Sequence, residues 1–283
     1  MTTRELLCAA TVRLSEAGVT SPDLDARLLL AQVLGKPHLS LDGDSHVEAE
    51  ATWRFEELVR RRAAREPLQH LLGTAAFRYV EVDVGPGVFV PRPETELLAG
   101  WGIAQLTAMH KAGAETPIVV DLCTGSGAIA KAVADEHPAA KVFAVELAEP
   151  ALDYARRNLA GTGVDLRAGD IADCLHEIDG RADVVMANPP YIPLGEYESV
   201  AVEAREHDPE IALWSGGDGL DTIRLVEQVA HRLLQPGGVV GCEHADSQGE
   251  VVPALFGATG RWTAIRDHPD LNQRPRFTTA RRL

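Results

Sequence analysis

Ile118-Val119-Val120-Asp121-Leu122-Cys123-Thr124-Gly125-Ser126-Gly127-Ala128-Ile129-Ala130 decides the fold. The first five residues, mostly branched and apolar, read as a buried strand. The glycines read as a tight turn, and Ala128-Ile129-Ala130 opens a helix. Gly125 and Gly127 let the backbone approach a ligand where a side chain would clash. The helix start offers N–H groups without intrahelical partners. Nineteen residues past Gly127, at the end of the next strand-like run, stands Glu146, placed to accept hydrogen bonds from a ribose diol. Gly125-x-Gly127-x-x-Ala130 with that acid points to an adenosine-type ligand, whether NAD or S-adenosylmethionine. Asp121 separates the two. A carboxylate just before the glycine loop suits a ligand carrying ammonium or sulfonium and is a poor neighbour for pyrophosphate. Asp170-Ile171, after the third strand, offers adenine a polar and an apolar contact, although such a pair also makes a simple turn.

Outward from this stretch, strands and helices alternate: strand 117–122, helix 127–136, strand 141–146, helix 149–160, strands 164–168 and 183–187, helix 218–234, strand 238–243, then strand-like runs near 261–267 and 275–281. The alternation predicts a doubly wound, mainly parallel, Rossmann-like α/β sheet. Before it, helical spacing over 3–17, 22–34 and about 46–65 predicts a small helical module, with Ser21-Pro22-Asp23 and Gly35 as start and stop signals. Phe77 to Val84 alternates like one strand, Gly85-Pro86-Gly87 turns, and Val88-Phe89-Val90 returns, a predicted hairpin. The expected organisation is a helical domain over 1–73, a β-hairpin linker over 74–92 and a Rossmann-like domain over 93–283.

The second informative stretch is Asn188-Pro189-Pro190-Tyr191, just past the apolar run 182–187. A loop at a strand's carboxyl end is where open α/β sheets place their chemistry. Asn188 offers an amide oxygen, the prolines stiffen the backbone, and Pro189 still presents its carbonyl. Two fixed acceptors and the flat ring of Tyr191 suit a planar NH2 group. Taken with the cofactor end, this points to methyl transfer from a sulfonium to a nitrogen, with Asn188, Pro189 and Tyr191 as the catalytic set.

The formal net charge of −15 opposes broad binding to nucleic-acid phosphates. The four cysteines are scattered without a C-x-x-C pair, so neither a zinc site nor a disulfide framework is expected. No signal peptide and no membrane-spanning run is read, and a cytoplasmic enzyme without a metal is expected.

Val88-Phe89-Val90-Pro91-Arg92-Pro93-Glu94-Thr95-Glu96, the Asp121–Ala130 loop and Asn188-Pro189-Pro190-Tyr191-Ile192 together resemble the HemK/PrmC-type peptide chain release factor glutamine methyltransferases. So do His207 to Leu213, Gly216-Gly217-Asp218-Gly219-Leu220, Glu243 to Gly249 and Asp270 to Arg276. The resemblance covers nearly the whole chain. It implies methyl transfer from S-adenosylmethionine, leaving S-adenosylhomocysteine, to the side-chain N5 of the glutamine in the Gly-Gly-Gln motif of class 1 release factors. Asn188 and Pro189 would hold the amide, Tyr191 would pack on it with Pro190 beside it, and Phe89, Arg92 and Glu94 would border the glutamine pocket. Asp121, Cys123, Thr124, Gly125, Ser126, Gly127, Glu146, Asp170, Ile171 and Asn188 would line the cofactor, and the N-terminal helices would grip the release factor. Two positions depart from the family pattern. Cys123 stands where Gly is usual, with a slight backbone adjustment expected, and Gln273 replaces a common Gly in the tail.

Blander readings stand beside these. Arg60-Arg61-Arg62 with Arg65 reads as a solvated face near a helix C-terminus, or more sharply as a contact with release factor or ribosomal RNA. Glu94 and Glu96 also favour a helix N-terminus. Glu243-His244-x-Asp246 reads as a polar loop rather than metal ligands, and the four tryptophans as core or interface filler. The alternatives are an N-methyltransferase for a ribosomal-protein glutamine or for DNA or RNA base amino groups, an NAD-dependent oxidoreductase, and a non-enzymatic adaptor.

Overall fold

A computed structural model describes residues 1–283, Ser199 by its backbone alone. The chain divides into two compact units, Met1–Thr74 with Val200–His207, and Ala75–Ser199 with Asp208–Leu283.

The first unit is helical. Thr2 and Glu5 cap the helix Thr3–Glu16 reciprocally, each side chain accepting the other's backbone N–H. Pro22 starts the helix Pro22–Leu34, and left-handed Gly35 ends it. With Ala49–Ala63 these helices bury Leu6, Leu14, Leu29, Leu30, Phe55 and Val59. Several arginines of this stretch pair within the unit, so Arg62 and Arg65 are not a solvated face, whereas Arg60 stays exposed. Arg62 is only 7% exposed, and its Nε donates to Asp25 Oδ2 at 2.8 Å. Arg65 forks onto Glu203 at 2.8 and 2.7 Å, and Arg62 reaches the same carboxylate at 3.3 Å. Arg60 pairs with Glu57 and Arg61 with Glu66. Trp53 is not a core residue: it is 67% exposed, beside a groove lined by Val33, Leu58 and Leu71.

The second unit begins with a short hairpin, β1 (Thr74–Phe77) and β2 (Val80–Asp83). The chain therefore reverses at Arg78-Tyr79, one strand earlier than the alternation implies, and 88–90 is not a strand. Arg78 adopts a left-handed φ of 52° without the Gly or Asn that usually signals such a turn. Seven further strands form the main sheet: β3 (Ile118–Leu122), β4 (Lys141–Glu146), β5 (Asp165–Ala168), β6 (Ala182–Ala187), β7 (Leu234–Glu243), β8 (Trp262–Pro269) and β9 (Pro275–Arg282). Their order is β5-β4-β3-β6-β7-β9-β8, parallel except for β9.

Helices bury both faces of the sheet. Thr95–Lys111 and Ala128–Glu136 cover Val119, Val184 and Met186, while Asp221–Leu233 and Val251–Ala258 cover Val120, Val185 and Val240. The strand order reverses between β3 and β6, so their carboxyl ends open a crevice at the switch point. Leu122 pairs with Val145 and Ala187, and Ala187 pairs with Cys242. The residues that follow these four, Glu146, Cys123, Asn188 and Glu243, therefore line up across the sheet's carboxyl edge.

Candidate active site

At the β3 end, Asp121 is 1% exposed. Its Oδ2 accepts from the Thr124 hydroxyl at 2.5 Å and from the Ala130 N–H at 3.1 Å. Its Oδ1 is buried without a hydrogen-bond partner among the described residues. Burial pushes this carboxyl up to about 7, against the bonds from Thr124 and Ala130. A buried acid with an unsatisfied oxygen is stabilised by an incoming cation or donor. One helix N–H expected to be free, that of Ala130, is thus already engaged.

Gly125 has φ 59°, and a Cβ there would meet nothing within 4 Å, so its open side remains available for a ligand. Its N–H donates to Glu146 Oε2 at 2.8 Å, and Ala148 N–H donates to Oε1 at 2.8 Å. Glu146 is thereby fixed as an acceptor with lone pairs to spare, while burial raises its carboxyl. These features fit an adenosine-type cofactor with a positive charge near β3. Thr124 and Ser126 are buried beside this loop, and Gly127 starts the helix with φ 86°. Ile171 sits in the core beneath, and exposed Asp170 uses Oδ1 to close a turn on the Ala172 N–H.

Cys123 has a left-handed φ of 59°, a region that glycine adopts without steric cost, so the non-glycine residue bears strain. Gln273 does the same at φ 63°. Asp270 closes that tail turn by accepting the N–H groups of Asn272 and Arg274.

Across the crevice, Asn188 Nδ2 donates to Thr95 Oγ1 at 3.1 Å, which turns the amide oxygen the other way. No donor among the described residues bonds Asn188 Oδ1 or the Pro189 carbonyl. The Tyr191 hydroxyl donates to Glu243 Oε1 at 3.2 Å, and burial raises the phenol far out of its titration range. Gln248 Nε2 bonds the Tyr191 carbonyl at 3.0 Å, and Ile192 N–H donates to the Leu213 carbonyl at 2.9 Å. The loop is pinned at both ends. Arg92 lies over the Phe89 ring, its guanidinium carbon 4.8 Å from the centroid, and donates to the fully buried Asp208 carboxylate at 2.5 Å. Half-buried Glu94 precedes Thr95 at the helix start. His244 bonds the Ala245 carbonyl and Asp267, and no metal-ligating cluster occurs among the described residues.

The sequence reading missed Thr95 and Glu243 as members of this site. Each signal was positional: Glu243 ends the strand next to β6, and Thr95 opens the helix packed under it.

The sheet order and the paired strand-end loops define an α/β methyltransferase. The profile described as PrmC N-terminal domain matches residues 5–73, and the one described as Methyltransferase small domain matches 103–218. A release factor glutamine methyltransferase of Streptomyces coelicolor is 56% identical, covering 96% of this chain and 95% of that protein. One of Mycolicibacterium smegmatis is 45% identical over 99% and 98%. A 4-amino-L-phenylalanine/4-methylamino-L-phenylalanine methyltransferase of Streptomyces pristinaespiralis is 44% identical over 96% and 92%. The chain belongs to the release factor glutamine methyltransferase family. No helix among the described residues is long and apolar enough to cross a membrane.

Proposed function

We propose that this methyltransferase moves the methyl of S-adenosylmethionine to the side-chain N5 of the glutamine in the Gly-Gly-Gln motif of class 1 release factors. The observation that carries this reading is the fixed amide of Asn188. With Nδ2 committed to Thr95, Oδ1 and the neighbouring Pro189 carbonyl are two acceptors on one stiff loop. An amide nitrogen is a weak nucleophile because its lone pair is delocalised into the carbonyl. Holding both of its hydrogens on these oxygens fixes the orientation of the amide plane, so that the lone pair perpendicular to it is aimed into the crevice. Tyr191 covers one face of the amide. The cofactor, when bound, supplies an activated methyl and a neutral thioether leaving group. The protein's task is alignment. Asp121 would favour the cofactor's positive charge, and Glu146 would accept from its ribose. The methylated nitrogen is strongly acidic, and its proton leaves to water. The Met1–Thr74 helices would serve as the release-factor docking module.

The Streptomyces pristinaespiralis relative points to a second substrate class, because an arylamine presents the same planar NH2. Labelled S-adenosylmethionine offered with intact release factor, free 4-amino-L-phenylalanine and nucleic acid in parallel separates the readings. The expected result is label on the release factor alone, mapped by mass spectrometry to the Gly-Gly-Gln glutamine. Label on the free amino acid or the nucleic acid, with none on the release factor, overturns the proposal.

A further inference from the structure

The reading of the glycine loop after β3 as the cofactor's seat, on which this inference rests, gives no task to a buried amide behind that loop. Asn158 is the last residue of the helix Glu149–Asn158 and is 5% exposed. Its Nδ2 donates to the Ser126 carbonyl of the loop at 2.8 Å and to the Asp83 carbonyl at 2.9 Å. Its Oδ1 accepts from the Asp83 N–H at 2.7 Å. The next residue touches the loop as well: a Cβ on Gly127 would lie 3.0 Å from Leu159 Cγ. Asp83 ends β2, and the chain beyond it follows the same helix. A Cβ on Gly85 would collide with the Tyr154 hydroxyl, and one on Gly87 would lie 2.9 Å from Pro150 Cβ. Pro150, Tyr154 and Asn158 stand four residues apart on one helix face.

We propose that Asn158 is a positioning residue for S-adenosylmethionine, tying the cofactor loop to the end of β2 so that the loop has its binding shape before the ligand arrives. The donor and acceptor inventory allows one orientation of the amide. The oxygen must face the Asp83 N–H, and the NH2 then spends its two hydrogens on two carbonyls. All three partners are main-chain groups, so the amide fixes backbone against backbone. Among the described residues no other side chain donates to a carbonyl of Cys123–Gly127.

The residues just before Ser126 hold the groups that the ligand would meet. Gly125 N–H donates to Glu146, and the Thr124 hydroxyl donates to Asp121. Movement at Ser126 would pull on both bonds at once. A loop already held in its bound shape also loses less freedom when a ligand settles on it. Removing the Asn158 donors would leave the buried Ser126 carbonyl unpaired, and the loop would have to shift to satisfy it.

The test uses the full chain, with S-adenosylmethionine affinity read by calorimetry, kcat and the cofactor KM read with intact release factor, and melting temperature. Asn158→Asp keeps the volume and the acceptor but loses both donors. It is expected to weaken S-adenosylmethionine binding roughly 10- to 100-fold, with the larger share of the kinetic loss in the cofactor KM rather than in kcat. Asn158→Ala, which adds no charge, should weaken binding in the same direction. A merely structural amide would lower the melting temperature and leave the affinity of the folded protein untouched, and that result overturns the inference. If both variants fail to fold, hydrogen exchange of the wild type decides. The Gly125 and Gly127 amides should be protected without ligand, and free exchange there until S-adenosylmethionine is added overturns the inference equally. Failure of S-adenosylmethionine to bind the wild type removes the cofactor reading and this inference with it, whereas wild-type binding beside an unaltered Asn158→Asp removes the inference alone.

Discussion

Asp121 is held ready for a charge it does not itself carry. Two hydrogen bonds satisfy one of its oxygens, and the other is buried and unpartnered. Charge-assisted hydrogen bonds contribute about 1.5–3 kcal/mol, so Asp121→Asn should weaken S-adenosylmethionine binding roughly 10- to 100-fold by calorimetry. With a carboxyl near 7, wild-type affinity should also tighten as pH rises through neutrality, and that trend should be absent from the variant. Gln273 illustrates strain tolerated away from the chemistry. It is exposed and left-handed, and relief of about 1–2 kcal/mol outweighs the roughly 0.5–1 kcal/mol that glycine adds to chain entropy. Gln273→Gly should therefore raise stability by up to about 1 kcal/mol in a denaturant melt.

At the scale of elements, the loop after β6 keeps its shape because other segments leave room for it and tie it down. A Cβ on Gly219 would lie 2.4 Å from the Tyr191 carbonyl oxygen and 2.9 Å from Gln248 Nε2. Gly219→Ala should displace the loop and lower kcat about 100-fold while leaving cofactor affinity near normal. In the helical unit, Arg62 is the buried partner of Asp25. Arg62→Ala leaves that acid buried and uncompensated, and should destabilise the unit by about 3–5 kcal/mol. Charge reversal at Arg62 therefore reports on folding before it reports on any partner. The strands and long helices were legible because buried parallel strands read as short apolar runs and amphipathic helices repeat their apolar positions. The helix Val251–Ala258 was not, since Pro253, Gly257 and paired valines all lower helix propensity. The hairpin was misplaced because Arg78 turns the chain without a turn residue.

At the scale of the whole molecule, the return of Val200–His207 to the first unit could not be read from the sequence. Val200–His207 joins the first unit through Glu203, whose bond to Arg62 spans 141 residues of chain. The glycine loop and Asn188-Pro189-Pro190-Tyr191 were visible as motifs, but Thr95 and Glu243 enter the site only through strand register and helix packing. Two buried acids also mark the stability profile. Asp121 and Glu243 titrate near 7, against ordinary values of 3.8 and 4.5. A raised acid stabilises the fold below its unfolded value and loses that contribution as pH climbs through its folded value, on the order of 3 kcal/mol each. The ligand-free protein should melt higher near pH 6 than near pH 8, and Asp121→Asn with Glu243→Gln should flatten the difference.

The central claim, that two fixed oxygens grip a primary carboxamide, is tested most directly by Asn188→Ala in single-turnover transfer to intact release factor, with S-adenosylmethionine affinity measured on the same preparation. The account predicts unchanged cofactor affinity and a rate lower by about 100- to 1,000-fold, as when one preorganised polar partner is lost from a transition state. A rate equal to that of the wild type would contradict it.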